Sequence, residues 1–326
     1  MFDPGQHLQE SCSPPPPATF AIILRMNVAA RWSLKRSLTI TVCFALFCVF
    51  GAEWASARVA LQPCKNNIPP QKQIEIGQKA AQQVYQQMPV LPDSSPITQY
   101  VQALGQKLVA HTPGYAWPYN FHVVDVDAIN AFALPGGSIF VNLGTIQAAD
   151  TEAQLAGVMA HEISHVVLQH SVCNLVKQQR VGILAGIGQI ASGVLLGSAV
   201  GAVAQQGIGL TAGLGFLKMS RNAEKQADLE GVGILYDSGY DPRAMPQFFE
   251  TIQAKYGEGS AQFLSDHPNP GNRTEYINDE IATLGPQGHY IANTPEFKAI
   301  HQQAEKMHAY TQKEVASGVW KRKAPQ

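Results

Sequence analysis

Apolar side chains recur at three- and four-residue intervals through residues 74–87 and again through 97–110, so each stretch presents one apolar face and predicts a helix. The segment 89–96, with Pro89, Pro92 and Pro96, breaks the pattern between them. Residues 121–126 and 138–143 are rich in Val and Phe and read as two strands, with Pro135-Gly136-Gly137 as the turn between. Residues 153–168 then form an apolar, glycine-poor run that predicts a long helix. Further helices are expected over 242–256 and, as a last element rich in Gln, Lys and His, over 296–315. The pattern describes an α+β chain, mainly α, with a small sheet packed beside the 153–168 helix. No period of 20–50 residues recurs, so a helical-repeat module is not expected.

The helix over 153–168 carries His161-Glu162-Ile163-Ser164-His165. Residues four apart share a helical face. Two imidazoles so placed can hold one Zn²⁺ at ~2.0–2.1 Å each, with Glu162 near enough to take a proton from water. With ten histidines in 326 residues, an HExxH spacing arises by chance in about one such chain in a hundred. A helical face with two satisfied histidines would explain it too. A catalytic zinc needs a third protein ligand, and Ser220-Arg221-Asn222-Ala223-Glu224-Lys225-Gln226-Ala227-Asp228 offers one. Glu224 and Asp228 are again four apart, which suits a carboxylate on the metal and a second behind it, fixing His161 or His165 through its other ring nitrogen. A charged, solvated helix start with Arg221 and Lys225 outward fits the same spacing, and the spacing leaves both readings open.

Four blocks in order, INAFALPGGSIFVNLGTI, HEISHVVLQH, SRNAEKQAD and SDHPNPGNR, resemble the periplasmic branch of metallopeptidase family forty-eight, over roughly residues 74–284. The resemblance implies a zincin-like (gluzincin) catalytic domain, one Zn²⁺ per chain held by His161, His165 and Glu224, and Glu162 as the catalytic base. It also implies that 130–137, with Asn130, Ala131, Gly136 and Gly137, lies near the substrate cleft, where an edge strand aligns an extended peptide. An ordinary hairpin turn accounts for Gly136-Gly137 equally well. In the family the loop 265–270 faces the metal. His267 is therefore a candidate for steadying the oxyanion or for filling the open metal position at rest, and Arg273 for orienting that loop or binding the developing charge. The plain alternatives are an exposed histidine and a surface cation at a helix start.

Composition narrows the partners and the compartment. A net charge of −1 supplies no basic stripe to neutralise phosphates, so no nucleic-acid partner is expected. Residues 1–25, with Pro14 to Pro17, read as disordered or as lying upstream of a true start at Met26. Residues 26–57 have a basic start (Arg31, Lys35, Arg36), a 13-residue apolar core and Ala55-Ser56-Ala57, the organisation of a cleaved secretory signal. Export to the periplasm follows as the expectation, with a catalytic domain over 58–287 and a C-terminal helix and basic tail over 288–326. Leu61-Gln62-Pro63-Cys64 lacks the small residues of a lipid-anchoring box. Cys64 and Cys173 are the cysteines left after cleavage, and an oxidising compartment permits them to pair or leaves two thiols.

Residues 181–217 hold no charge and ten glycines. That is long enough to cross a bilayer once, but one crossing would part His165 from Glu224 across the membrane, and two would need ~40 residues plus a turn. A mobile lid over the cleft is the reading adopted, with peripheral membrane contact as its rival, since each glycine weakens a helix by ~1 kcal/mol. The expected function is a zinc-dependent endopeptidase acting on unfolded or misassembled envelope polypeptides. The rivals are a zinc-binding chaperone or assembly factor with latent proteolysis, a membrane-embedded prenyl-protein protease, for which the chain lacks the spans, and a purely structural zinc site, for which Glu162 would be dispensable.

Overall fold

Both helices that open the described chain start on proline, in the first turn, where the missing N–H would have had no intrahelical partner: α1 (Pro70–Gln87) and α2 (Pro96–Val109). Each buries the face its periodicity predicts, Ile76, Ala80 and Val84 on α1 and Ile97, Val101, Leu104 and Leu108 on α2. The computed structural model describes residues 61–184, 218–257, 262–268, 272–285 and 287–322. The leader and signal segments, and residues 185–217 of the expected lid, lie outside the described residues.

The sheet contains β1 (Asn120–Val124), β2 (Ala131–Ala133) and β3 (Ser138–Asn142), in the order β1-β3-β2. β1 runs parallel to β3, with Phe121 opposite Ile139, and β2 runs antiparallel to β3, with Phe132 opposite Phe140. Two expectations are corrected. A third strand exists, and the Pro135-Gly136-Gly137 turn joins β2 to β3, not the two strands read from the sequence. Those two are parallel, which a tight turn cannot connect. The turn itself demands its glycines: φ is +79° at Gly136 and +110° at Gly137, and a Cβ on Gly136 would sit 2.5 Å from the Ile74 Cα.

After the short α3 (Leu143–Ala148), the central helix α4 (Glu152–Val167) starts on Thr151, whose hydroxyl accepts from the Gln154 N–H at 3.2 Å. All sixteen of its residues are buried, so it is enclosed by neighbours on every side, as its near-continuous apolar composition requires. It ends at Leu168. Gln169 is then left-handed (φ +57°), the one non-glycine residue with positive φ among those described, and α5 (His170–Leu184) sets off in a new direction. α6 (Arg221–Asp237) packs along α4. The approach is close at Gly231, where a Cβ would meet the His161 backbone N at 3.2 Å and the Met245 side chain at 2.7 Å. α7 (Ala244–Tyr256) covers the next flank of α4, burying Phe248, Phe249 and Ile252.

α8 (Gln262–Asp266) and α9 (Arg273–Thr283) complete the surround of the site. The single last helix expected over 296–315 is two helices, α10 (Pro295–Lys306) and α11 (Gln312–Ser317), followed by a 3₁₀ turn at Val319–Arg322. Between them Tyr310 joins the extension of β1, its N–H donating to the Asp125 carbonyl at 3.1 Å and its carbonyl accepting from the Asp127 N–H at 3.0 Å. α11 then restarts on a capping box formed by Thr311 and Glu314. At the other end, Cys64 and Cys173 are joined in a disulfide. It ties the segment before α1 to α5, and the Cys64 N–H donates to the Leu168 carbonyl at 3.0 Å. Among the described residues no helix is long and apolar enough to cross a membrane.

Candidate metal centre

One turn of α4 separates His161 from His165, and their Nε2 atoms face each other at 3.0 Å. The first turn of α6, capped by the Ser220 hydroxyl on the Ala223 N–H, delivers Glu224. Its Oε2 lies 3.2 Å from His161 Nε2 and its Oε1 3.5 Å from His165 Nε2. His267, just past α8, brings Nδ1 to 3.1 Å from Glu224 Oε1 and 3.3 Å from His161 Nε2. Each of the four residues offers one donor atom within 4.8 Å of all the others, and all four are buried.

Two imidazole nitrogens at such distances share either a proton or a metal ion, since two bare lone pairs would repel. Two ligands held tetrahedrally at ~2.0–2.1 Å from an ion are ~3.3–3.4 Å apart, and the donor separations here run from 3.0 to 3.5 Å. The donor set fits a metal ion.

Glu162, the next residue on α4, is 1% exposed. Its Oε1 has no hydrogen-bond partner among the described residues and lies 3.4 Å from His267 Nε2. Burial pushes its carboxyl above the ordinary carboxylate range, opposed by His267 and His161 and by a backbone N–H from Ala133. Glu224 behaves oppositely. Burial disfavours its charge, but His267 and His161 outweigh that and hold its pKa well down.

Behind the four donors lies a second layer, and its two halves differ. His161 Nδ1 meets Asp228 Oδ1 at 2.9 Å. Asp228, fully buried, also accepts from Arg273 Nη2 and from the Tyr276 hydroxyl. The Arg273 guanidinium carbon lies over the Phe249 ring, 3.6 Å from its centroid. Burial would raise the Asp228 carboxyl, yet Arg273 and His161 hold it below its usual range. Burial likewise opposes charge on His161, and its bonds to Asp228 and Glu224 overcome this and lift it to about 9. Among the described residues His165 has no carboxylate behind it. Its Nδ1 meets His170 Nδ1 at 2.9 Å, and His170 Nε2 meets Gln226 Oε1 at 3.2 Å. Burial lowers His165 well below its usual value and takes His170 to about 4.

The structure thus gathers His161, Glu162, His165, Glu224 and His267 at one point, and sets Asp228 against His161 and away from His165. Arg273 is 4% exposed and faces Asp228, 3.8 Å from Glu224 Oε2; it is not a surface cation. The 130–137 residues divide. Asn130 Nδ2 donates to Asp266 Oδ2 at 2.9 Å, tying the start of β2 to the residue before His267. Ala131 is buried in the β2–β3 ladder. Gly136 lines, with Leu134, His165, Val166 and Gln169, a small, partly open pocket, whereas Gly137 packs on Pro118 and Tyr119. Sequence reasoning missed His170, Gln226 and Tyr276. On a continuous helix His170 would point about 140° away from His165, and only the left-handed Gln169 turns it back. A histidine closing the block HEISHVVLQH was the available signal.

A buried HExxH helix packed against a second helix that brings a glutamate, beside a small mixed sheet, defines a zincin-like metallopeptidase. The chain belongs to Peptidase family M48, whose model matches residues 97–281. It is 34% identical to the β-barrel assembly-enhancing protease of Escherichia coli (strain K12) over 207 residues, 62% of this chain and 42% of that one. It is 32% identical to a putative β-barrel assembly-enhancing protease of Vibrio cholerae, over 57% of this chain and 39% of the other. The mitochondrial metalloendopeptidase OMA1 of Schizosaccharomyces pombe is 28% identical over 58% of this chain and 55% of its own. The chain therefore spans less than half the length of the bacterial relatives.

Proposed function

We propose that the protein is a zinc-dependent metalloendopeptidase of the bacterial cell envelope, exported to the periplasm, that hydrolyses unfolded or misassembled envelope polypeptides. The observation that carries this reading is the convergence of His161, His165 and Glu224 with the unpartnered Oε1 of Glu162 beside them. His161, His165 and Glu224 hold one zinc. When bound, zinc would supply Lewis acidity, lowering the pKa of a water to ~7 and polarising a carbonyl. Glu162 accepts the proton of the attacking water and passes it to the leaving amine. Asp228, backed by Arg273 and Tyr276, accepts the Nδ1 proton of His161 and so leaves Nε2 as the nitrogen that would exchange its proton for the metal.

His267 stands among the donors and closes the site, since all four donor residues are buried. This supports the role of resting occupant, and His267 must withdraw before water and substrate enter; it then remains near the developing oxyanion. Arg273 acts on that charge through Asp228. The substrate runs along β2, the edge strand beside α4, adding its own backbone to the sheet, with Asn130, Ala131, Gly136 and Gly137 along the cleft. A folded domain cannot present such a strand, so unfolded chains are selected. Export is supported by the signal-like segment 26–57 and by the Cys64–Cys173 disulfide, which persists in oxidising compartments.

The relatives named for β-barrel assembly supply the substrate class to test. One outer-membrane barrel protein offered in urea-unfolded and in refolded form should be cut in the first and spared in the second. Equal cleavage of both forms would remove the selection argued here. The closed, four-donor arrangement also favours a second reading, an assembly factor whose proteolysis is latent; it predicts that substrate capture and biological effect both survive Glu162→Gln.

A further inference from the structure

A histidine that binds metal through Nε2 carries its proton on Nδ1, and that proton needs an acceptor if the ring is to be held in place. His161 has Asp228. At His165 the group in that position is another imidazole: His170 Nδ1 lies 2.9 Å from His165 Nδ1, with both rings buried. Two protonated Nδ1 atoms cannot face each other at that distance, and two unprotonated ones would repel. One donates and the other accepts.

The surroundings decide which. His165 Nε2 points into the donor cluster, 3.0 Å from His161 Nε2 and 3.5 Å from Glu224 Oε1, so a metal ligand there must keep its proton on Nδ1. His170 Nδ1 must then accept, which leaves the His170 proton on Nε2. That nitrogen faces an acceptor, the Gln226 amide oxygen at 3.2 Å. The chain from His165 Nδ1–H to His170 Nδ1, and from His170 Nε2–H to Gln226 Oε1, is the one proton arrangement that satisfies every partner. Gln226 belongs to α6, which also supplies Glu224 and Asp228.

His170 does not belong to the four-donor cluster. It reaches His165 because Gln169 is left-handed, and that residue is itself clamped: its side-chain oxygen accepts from Asn66 Nδ2 at 2.7 Å and Gln73 Nε2 at 3.0 Å.

We propose that His170, fixed in one tautomer by Gln226, is the positioning residue of His165, so that one metal-binding histidine is held by a carboxylate and the other by a neutral imidazole. The inference rests on the metal reading given above.

The test is zinc affinity, measured by competition with a chromophoric chelator on the purified wild-type protein and on His170→Leu, His170→Asn and Gln226→Leu, with the Co²⁺ absorption spectrum and thermal unfolding recorded for each. Asparagine presents an oxygen where His170 Nδ1 stood; leucine fills the space and accepts nothing. Losing such a partner weakens metal binding about 10–100-fold. His170→Leu should show that loss and an altered Co²⁺ spectrum, His170→Asn should stay close to wild type, and Gln226→Leu should shift affinity in the same direction by less. Zinc held by His170→Leu as tightly as by wild type would overturn the proposal, as would equal losses in the leucine and asparagine variants, which would mean shape alone matters. Should His170→Leu fail to fold, unchanged affinity in Gln226→Leu together with weakened His170→Asn would also overturn it. A wild-type protein that takes up no zinc would instead overturn the metal reading, and this proposal with it.

Discussion

Asp228→Asn isolates the charge behind His161 while leaving shape nearly unchanged. Asp228 is fully buried and receives three donors, His161 Nδ1 at 2.9 Å, Arg273 Nη2 and the Tyr276 hydroxyl. The amide would turn one acceptor into an NH₂ that faces N–H or O–H groups. It would also leave Arg273, 4% exposed, with Glu224 as its nearest carboxylate at 3.8 Å. Removing one member of a buried ion pair costs about 3–5 kcal/mol. At ~2–4 °C per kcal/mol for a chain of this size, the melting temperature of chelator-treated protein should fall by roughly 6–20 °C. The freed His161 ring should weaken zinc binding about 10–100-fold. Burial raises the Asp228 carboxyl, but Arg273 and His161 prevail and depress it below 3.8, so the wild type's advantage is present at neutral pH and fades as the solution is acidified below about pH 4. Circular dichroism melts at pH 7.5 and pH 3.5, with a chelator competition at the higher pH, measure all three effects. A variant that melts within about 2 °C of wild type at pH 7.5 and keeps its zinc affinity would refute the assignment.

Two other predictions lie away from the donors. The disulfide closes a loop of 109 residues, which in the chain-entropy model stabilises by about 4.8 kcal/mol; Cys64→Ser with Cys173→Ser, or reduction of the wild type, should lower the melting temperature by roughly 10–20 °C, and unchanged melting under reductant would contradict the pairing. Asp125 has one carboxylate oxygen buried without a partner among the described residues, and burial, only partly offset by His308, lifts it to about 6. A raised carboxyl costs stability as pH climbs from its unfolded value through 6, so Asp125→Asn should gain about 1–2 kcal/mol at pH 7.5, discounted for partial exposure, and nothing at pH 4; equal melting of the two proteins at pH 7.5 would contradict this.

What the chain discloses by itself follows from range. α4 and its histidine pair were legible because a period of 3.6 and an i, i+4 spacing are local properties, and Glu224 with Asp228 repeats that spacing on α6. β2 was not, since three residues, Ala131–Ala133, carry too short a pattern to register as a strand. Its absence from the reading made a hairpin of two parallel strands. The break between α10 and α11 is likewise invisible locally, because it exists for the long-range pairing of Tyr310 with Asp125 and Asp127. Arg273 could not be read as buried without knowing that Asp228 and Phe249 await it. His170 needed a single backbone dihedral, that of Gln169, which no spacing rule anticipates.

The central claim is that His161, His165 and Glu224 hold a zinc with which Glu162 hydrolyses peptide bonds. Degradation of casein by the purified protein beside Glu162→Gln, with bound zinc quantified in both, addresses it most directly. The account predicts one zinc per chain in each protein and cleavage by the wild type alone. Cleavage that persists in Glu162→Gln with zinc in place would contradict it.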